Sequence, residues 1–228
     1  MNEFDYIREN AERIIYEAGE AKAKYRSPND VVDIMAVTKT VSPEAVNVAV
    51  QSGITLLGEN RVQEYLSKRD FYDKSASVDF IGHLQTNKVK YIIDTVNKIH
   101  SVDNIKLAKE ISRLSGIREK TTDILIEVNI GREESKSGVD PDNLLDFCYE
   151  LAELPNIRVS GLMSIPPKEC SEKFFCKMQE LFIDIKAKNI DNSSVWVLSM
   201  GMSSDFPVAI KYGSNVVRIG TALFGSRK

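Results

Sequence analysis

Long apolar runs are absent from this 228-residue chain: no stretch approaches the roughly 20 residues that a membrane-spanning helix needs. The opening "MNEFDYIRENAERIIYEAGEAKAKY" is charged throughout and has no apolar core of signal-peptide length, so a cytoplasmic location is expected. Basic runs are missing too, and a formal net charge of −3 gives no strong footprint for nucleic acid. Cysteine is scarce. Cys148, Cys170 and Cys176 form no CxxC pair, and an odd count cannot be fully bridged within the chain, so reduced thiols are the simplest account. No GxGxxG follows an apolar run and no GxxxxGK(S/T) occurs, which removes the dinucleotide fingerprint and the P-loop. Linkers rich in Pro, Gly or Ser, low-complexity tracts and strong internal repeats are also lacking, and one domain over residues 1–228 is expected.

What is present is a regular alternation. Residues 3–25 carry apolar groups at Phe4, Ile7, Ala11, Ile14, Ile15 and Ala18, which is helical spacing. Beyond "SPND" come eight short apolar runs: "DIMAV", "ITLLGE", "DFIGH", "KIHSV", "DILIEVN", "RVSGLM", "VWVLSM" and "NVVRIG". Segments of helical period lie between most of them, among them 42–51, 104–114, 141–154 and 172–188. Apolar residues at consecutive positions suit strands covered on both faces. Strands alternating with helices predict a parallel α/β sheet. Eight of them in about 200 residues predict a single-domain (β/α)8 TIM barrel with an additional N-terminal helix. An open doubly wound sheet is the alternative.

Chemistry in such barrels sits at the C-terminal ends of the strands. Those positions hold Lys39; Glu59, Asn60 and Arg61; His83 and Gln85; Ser101 to Asp103; Asn129; Met163 and Ser164; Ser199 to Ser204; and Arg218, Gly220 and Thr221. Lys39 stands out because it follows the apolar run of "DIMAV". A lysine on a rigid strand end, partly desolvated, has a lowered pKa and presents a nucleophilic amine, the requirement for capturing an aldehyde. Snorkelling to solvent and pairing with Glu59 are the bland readings of the same residue. In "VLSMGMSSDFPVAI" and "VVRIGTALFG", strands run into Gly-containing turns and helix starts, where backbone N–H groups and hydroxyls attract phosphate. Plain N-capping by Ser204 or Asp205 is the competing account. Arg218, always charged, suits either a pyridine nitrogen or an ion pair at the rim. An amine that seeks aldehydes, opposite a phosphate cradle, describes a site for pyridoxal 5′-phosphate.

At these residues the chain resembles the YggS/PROSC family of pyridoxal phosphate homeostasis proteins, barrels of fold type III related to the N-terminal domain of alanine racemase. The matching segments are "AVTKT", "GENRVQE", "FIGHLQTNK", "HSVD", "VNIGREESKSG", "GLMSIPP", "LSMGMSSDF" and "VRIGTALFG", spread over residues 36–225. The resemblance implies that Lys39 forms an internal aldimine with the cofactor. It implies that Ser203, Ser204, Gly220 and Thr221 hold the phosphate and that Arg218 faces the pyridine nitrogen. Asn60 and Met200 would line the pocket. His83 would lie close to it, either touching the cofactor or fixing the loop after the third strand. Lys136, in "EESKSGV", either receives and transfers the cofactor or is a solvated loop lysine, the latter being favoured. Pro207 departs from the family pattern but is tolerable in a first helical turn.

The function implied is to hold pyridoxal phosphate and take part in its buffering or delivery, with cofactor-dependent apo-enzymes as recipients. An amino-acid racemase or decarboxylase is the alternative. A racemase needs two acid/base groups on opposite faces of the substrate carbon. Lys39 supplies one, no second is evident, and a further β-rich domain bearing a catalytic tyrosine is not expected. A class I aldolase acting on a phosphosugar is the third reading. No catalytic residue and no metal ligand is assigned, and a monomer is expected.

Overall fold

The computed structural model describes residues 3–167, 169 and 171–225. Cys170 lies outside the described residues. Eight parallel strands close into a barrel in sequence order: β1 (Asp33–Val37), β2 (Leu56–Glu59), β3 (Ser77–Phe80), β4 (Lys98–Val102), β5 (Thr122–Glu127), β6 (Ile157–Met163), β7 (Ser193–Met202) and β8 (Val216–Ile219). The open-sheet alternative is excluded by the seam itself, where β1 pairs with β8 and Met35 stands opposite Arg218.

The helices are α1 (Asp5–Tyr25), α2 (Pro43–Gln51), α3 (Val62–Lys68), α4 (Val89–Ile92), α5 (Ile105–Ile117), α6 (Leu144–Ala152), α7 (Ser171–Ala187), α8 (Phe206–Lys211) and α9 (Thr221–Phe224). Their starts follow local chemistry. Ser42 caps α2 by accepting from Ala45 N, with Pro43 in the first turn, and Asn104 caps α5 by accepting from Leu107 N at 2.9 Å. The segment 141–154 splits into a 3-10 turn, Pro141–Asn143, and then α6, because Asp140 Oδ1 takes the N–H of Asp142 at 2.8 Å and tightens the first turn.

Two apolar layers hold the barrel. Met35, Ile81, Leu125, Met163, Val197 and Val216 fill its interior. The other faces of the strands pack under the helices, with Leu57, Phe80, Ile99, Ile126, Leu198 and Ile219 among the contributors. Each such side chain buried is worth about 1.5–3 kcal/mol relative to exposure. The extra helix α1 buries Ile7, Ala11, Ile14, Ala18 and Ala21 in one stripe against α2, α8 and α9. It therefore covers the seam where the chain's first and last strands meet.

Candidate functional site

The turn after β1 is fastened on both sides. Thr38 is buried, and its Oγ1 donates to Glu59 Oε1 at 2.8 Å and to Gly58 O at 3.2 Å, tying β1 to β2. Lys68 Nζ donates to Thr38 O at 3.1 Å and pairs with Glu64. Thr40 takes a left-handed backbone at φ 64°, with its N–H donating to Glu64 Oε1 at 2.5 Å. Half-buried Lys39 stands between these anchors. Glu59 also accepts from Tyr72 OH, and burial pushes its carboxyl above the usual range against the pull of those two hydroxyls.

Across the seam, β8 ends in Gly220, and Thr221 opens α9. Here Ser203 Oγ accepts the N–H groups of Gly220 at 3.2 Å and Ala222 at 3.1 Å, so two amides converge on one oxygen. The turn that delivers Ser203 needs Gly201: its φ is 90°, and an added Cβ would lie 2.5 Å from Ala209 Cβ. Asp205, instead of capping α8, accepts from Met202 N at 2.7 Å and closes the turn. Pro207 occupies the first turn of α8, as tolerated there. Helix α1 fixes the far end of α9: Asn10 Nδ2 donates to Leu223 O at 3.1 Å and Arg13 Nη2 to Ala222 O at 3.3 Å. Lys39, Thr40, Gly220, Thr221, Phe4 and Tyr6 line a cavity of about 370 Å³.

Arg218 lies buried within the barrel. Its Nη1 donates to Ser199 O and Oγ, both at 2.7 Å, and its Nη2 to Ser164 O at 2.7 Å. Burial draws its pKa down to about 10, opposed by the charges of Glu127 and Asp205, so it stays cationic at neutral pH. Two buried polar atoms at the mouth, Asn60 Oδ1 and Ser164 Oγ, have no hydrogen-bond partner among the described residues. Asn60 is held by close backbone approach, since a Cβ on Gly82 would come within 2.1 Å of Asn60 O.

The structure thus places Lys39, Gly220 and Thr221 on one cavity, with Ser203 joined to Gly220. Ser204 and His83 are exposed at the rim. Met200 departs from the expectation: strand alternation turns Ser199 inward, and the Met200 side chain is buried in the layer under the helices. Its backbone carbonyl accepts from Ser214 Oγ at 2.7 Å. Lys136, expected as a solvated loop lysine, keeps part of its side chain in solvent. It is half-buried, pairs with Glu133 at 2.5 Å and donates to Ile165 O at 3.3 Å, in a loop that Asn129 ties together. It shares a separate cavity of about 190 Å³ with Glu127 and Asn129. Burial pushes the Cys148 thiol up to about 12, consistent with a core residue. Two groups that the strand-end rule skipped are Asp79 and His100, polar positions inside apolar strands.

A family model described as "Alanine racemase, N-terminal domain" matches residues 12–228. The chain is 45% identical over 200 residues to the pyridoxal phosphate homeostasis protein of Aquifex aeolicus, covering 86% of this chain and 87% of that one. Among solved structures, a protein of Bifidobacterium adolescentis superposes with a TM-score of 0.90 at 31% identity, covering 96% of this chain and 94% of that one. PipY of Synechococcus elongatus, solved with pyridoxal phosphate bound, superposes with a TM-score of 0.79 at 28% identity, covering 92% of this chain and 100% of that one.

Proposed function

The chain belongs to the alanine racemase N-terminal domain family, among the relatives named pyridoxal phosphate homeostasis proteins, and on that premise we propose that it binds pyridoxal phosphate at the barrel mouth and serves to hold and hand on this cofactor. One observation carries the reading: the Lys39 amine-bearing turn and the Gly220–Thr221 turn line the same cavity, whose size of about 370 Å³ lies in the range of small-molecule sites. The donor set fits the cofactor. Pyridoxal phosphate, when bound, supplies an aldehyde that condenses with a lysine amine and a conjugated ring that absorbs visible light. Lys39 Nζ is the amine. The hydroxyls of Ser203 and Thr221 are donors for a phosphate, and the N–H groups of Gly220 and Ala222, by converging on Ser203 Oγ, leave that hydroxyl its own hydrogen to give. Arg218 is the partner of the ring nitrogen, and the orphaned Asn60 Oδ1 is an acceptor for a ring substituent. Ser204 and His83 complete the site from the rim.

The barrel acts as one binding domain, a cytoplasmic monomer that passes the cofactor to apo-enzymes. Among the described residues no helix is long and apolar enough to cross a membrane. The name borne by the relatives supports a holder over a catalyst.

Borohydride reduction after incubation with pyridoxal phosphate, followed by peptide mapping, tests the attachment. The adduct is expected on Lys39, and Lys39→Ala should lose the visible absorbance while keeping its circular dichroism. An adduct on Lys136 instead would move the site. Loaded protein given amino acids should release cofactor at most stoichiometrically; sustained racemisation or decarboxylation would overturn the holder reading.

A further inference from the structure

Beneath the mouth, four buried side chains from four strands make one hydrogen-bonded line. Arg218 on β8 donates to Ser199 Oγ on β7 at 2.7 Å. Ser199 Oγ meets His100 Nδ1 on β4 at 3.3 Å, and His100 Nε2 meets Asp79 Oδ2 on β3 at 3.0 Å. Their exposures are 4% for Arg218, 0% for Ser199 and His100, and 1% for Asp79. The link between His100 and Ser199 joins strands that are not neighbours in the barrel.

We propose that Ser199, His100 and Asp79 are positioning residues that hold the Arg218 guanidinium in one orientation at the barrel mouth. The chemistry fixes a direction for every bond. Arginine can only donate, and a carboxylate can only accept. Arg218 N–H therefore occupies a lone pair of Ser199 Oγ, which leaves that hydroxyl to donate its own hydrogen to His100 Nδ1. Burial lowers the pKa of His100, so its ring is neutral, and with Nδ1 accepting from Ser199 its single proton lies on Nε2, directed at Asp79. The remaining Asp79 oxygen is engaged as well, accepting from Lys98 N at 3.1 Å, so the far end is anchored to backbone. With Ser199 O and Ser164 O as further acceptors, both hydrogens of Arg218 Nη1 and one of Nη2 are engaged, which leaves the second Nη2 hydrogen and Nε–H as donors. A guanidinium so held cannot swing toward Glu127 or Asp205, the carboxylates that act on it. The proposal rests on the reading above only for what Arg218 meets; the chain itself belongs to the protein without cofactor.

The sequence has two histidines, so isotope-labelled histidine gives two ring systems, with exposed His83 as the reference. In the cofactor-free protein, His100 is expected as the Nε2–H tautomer. Rotation about the Arg218 guanidinium bond should be hindered in the native chain, freed in Ser199→Ala and hindered again in Ser199→Thr. An Nδ1–H tautomer, or guanidinium rotation indifferent to Ser199→Ala, overturns the proposal. With pyridoxal phosphate added, Ser199→Ala should bind roughly tenfold more weakly, the loss expected for one charge-assisted bond, and with a shifted absorption maximum. Equal affinity and an unchanged spectrum would also overturn it. If the cofactor-free signals behave as stated while the native protein takes up no pyridoxal phosphate, the positioning chain stands and the functional reading falls.

Discussion

Replacing Glu127 by Gln isolates one electrostatic cost at the barrel mouth. Glu127 ends β5 and shares the inward direction of Leu125, two residues before it. Burial and the charge of Asp103 push its carboxyl from 4.5 up to about 7, against the opposing pull of Arg218. A folded pKa above the unfolded one means that the native state keeps a proton which the unfolded chain has released. The resulting stabilisation is fully present below about pH 4.5 and is lost as pH rises through about 7. A gap of about 2.5 pH units corresponds to a ceiling of about 3.4 kcal/mol, and water at the mouth reduces it to roughly 1–2 kcal/mol. Glutamine does not titrate, so the variant should gain about 1–2 kcal/mol on the native protein between pH 5 and pH 8. Urea unfolding of both proteins at the two pH values gives the double difference, in which any constant effect of the amide cancels. Parallel stability curves, offset by the same amount at both pH values, would refute the placement of this partly buried carboxyl against Asp103.

Further outcomes follow from close contacts. Gly82→Ala must move the Asn60 backbone by nearly 1 Å, since the added Cβ would lie 2.1 Å from Asn60 O. Overpacking of this kind costs about 1–3 kcal/mol, and calorimetric titration with pyridoxal phosphate should show weaker binding; native affinity would mean that Asn60 takes no part. Tyr72→Phe removes a hydroxyl from Glu59, whose Oε2 already has no hydrogen-bond partner among the described residues. Urea unfolding should register a loss of about 1–3 kcal/mol, whereas an unchanged midpoint would place Glu59 in contact with water.

The fold was legible because its signals are local and repeated. "DIMAV" and "DILIEVN" are apolar at successive positions since each strand is covered by helices on one side and by the barrel core on the other. Ser42-Pro43 and Asn104 announce helix starts through capping chemistry that needs no tertiary information. The connections around β3 were less readable, because α4 is a single turn, Val89–Ile92, too short to show a period. Closure into a barrel was inferred from number alone; the pairing of β1 with β8 depends on register that no local pattern encodes.

The candidate site was legible to the extent that Lys39, Gly220 and Thr221, read from strand ends, line one cavity, and less so where alternation decides. Counting Met200 as a pocket residue overlooked that neighbours on β7 face opposite ways, so that Ser199 and not Met200 reaches Arg218. Asp79 and His100 escaped for a related reason. In "VDFIGH" and "KIHSV" a polar residue inside an apolar run reads as a blemish in the strand, because its justification lies on another strand far along the chain. His100 and Ser199 are 99 residues apart, and Arg218 and Ser164 are 54 apart. A buried polar group without a partner is costly, so these positions are stable only as a set. The barrel brings the set together by closing. The same closure that sequence could count but not demonstrate is what makes an arginine tolerable in the interior, where its acceptors come from β7 and the end of β6.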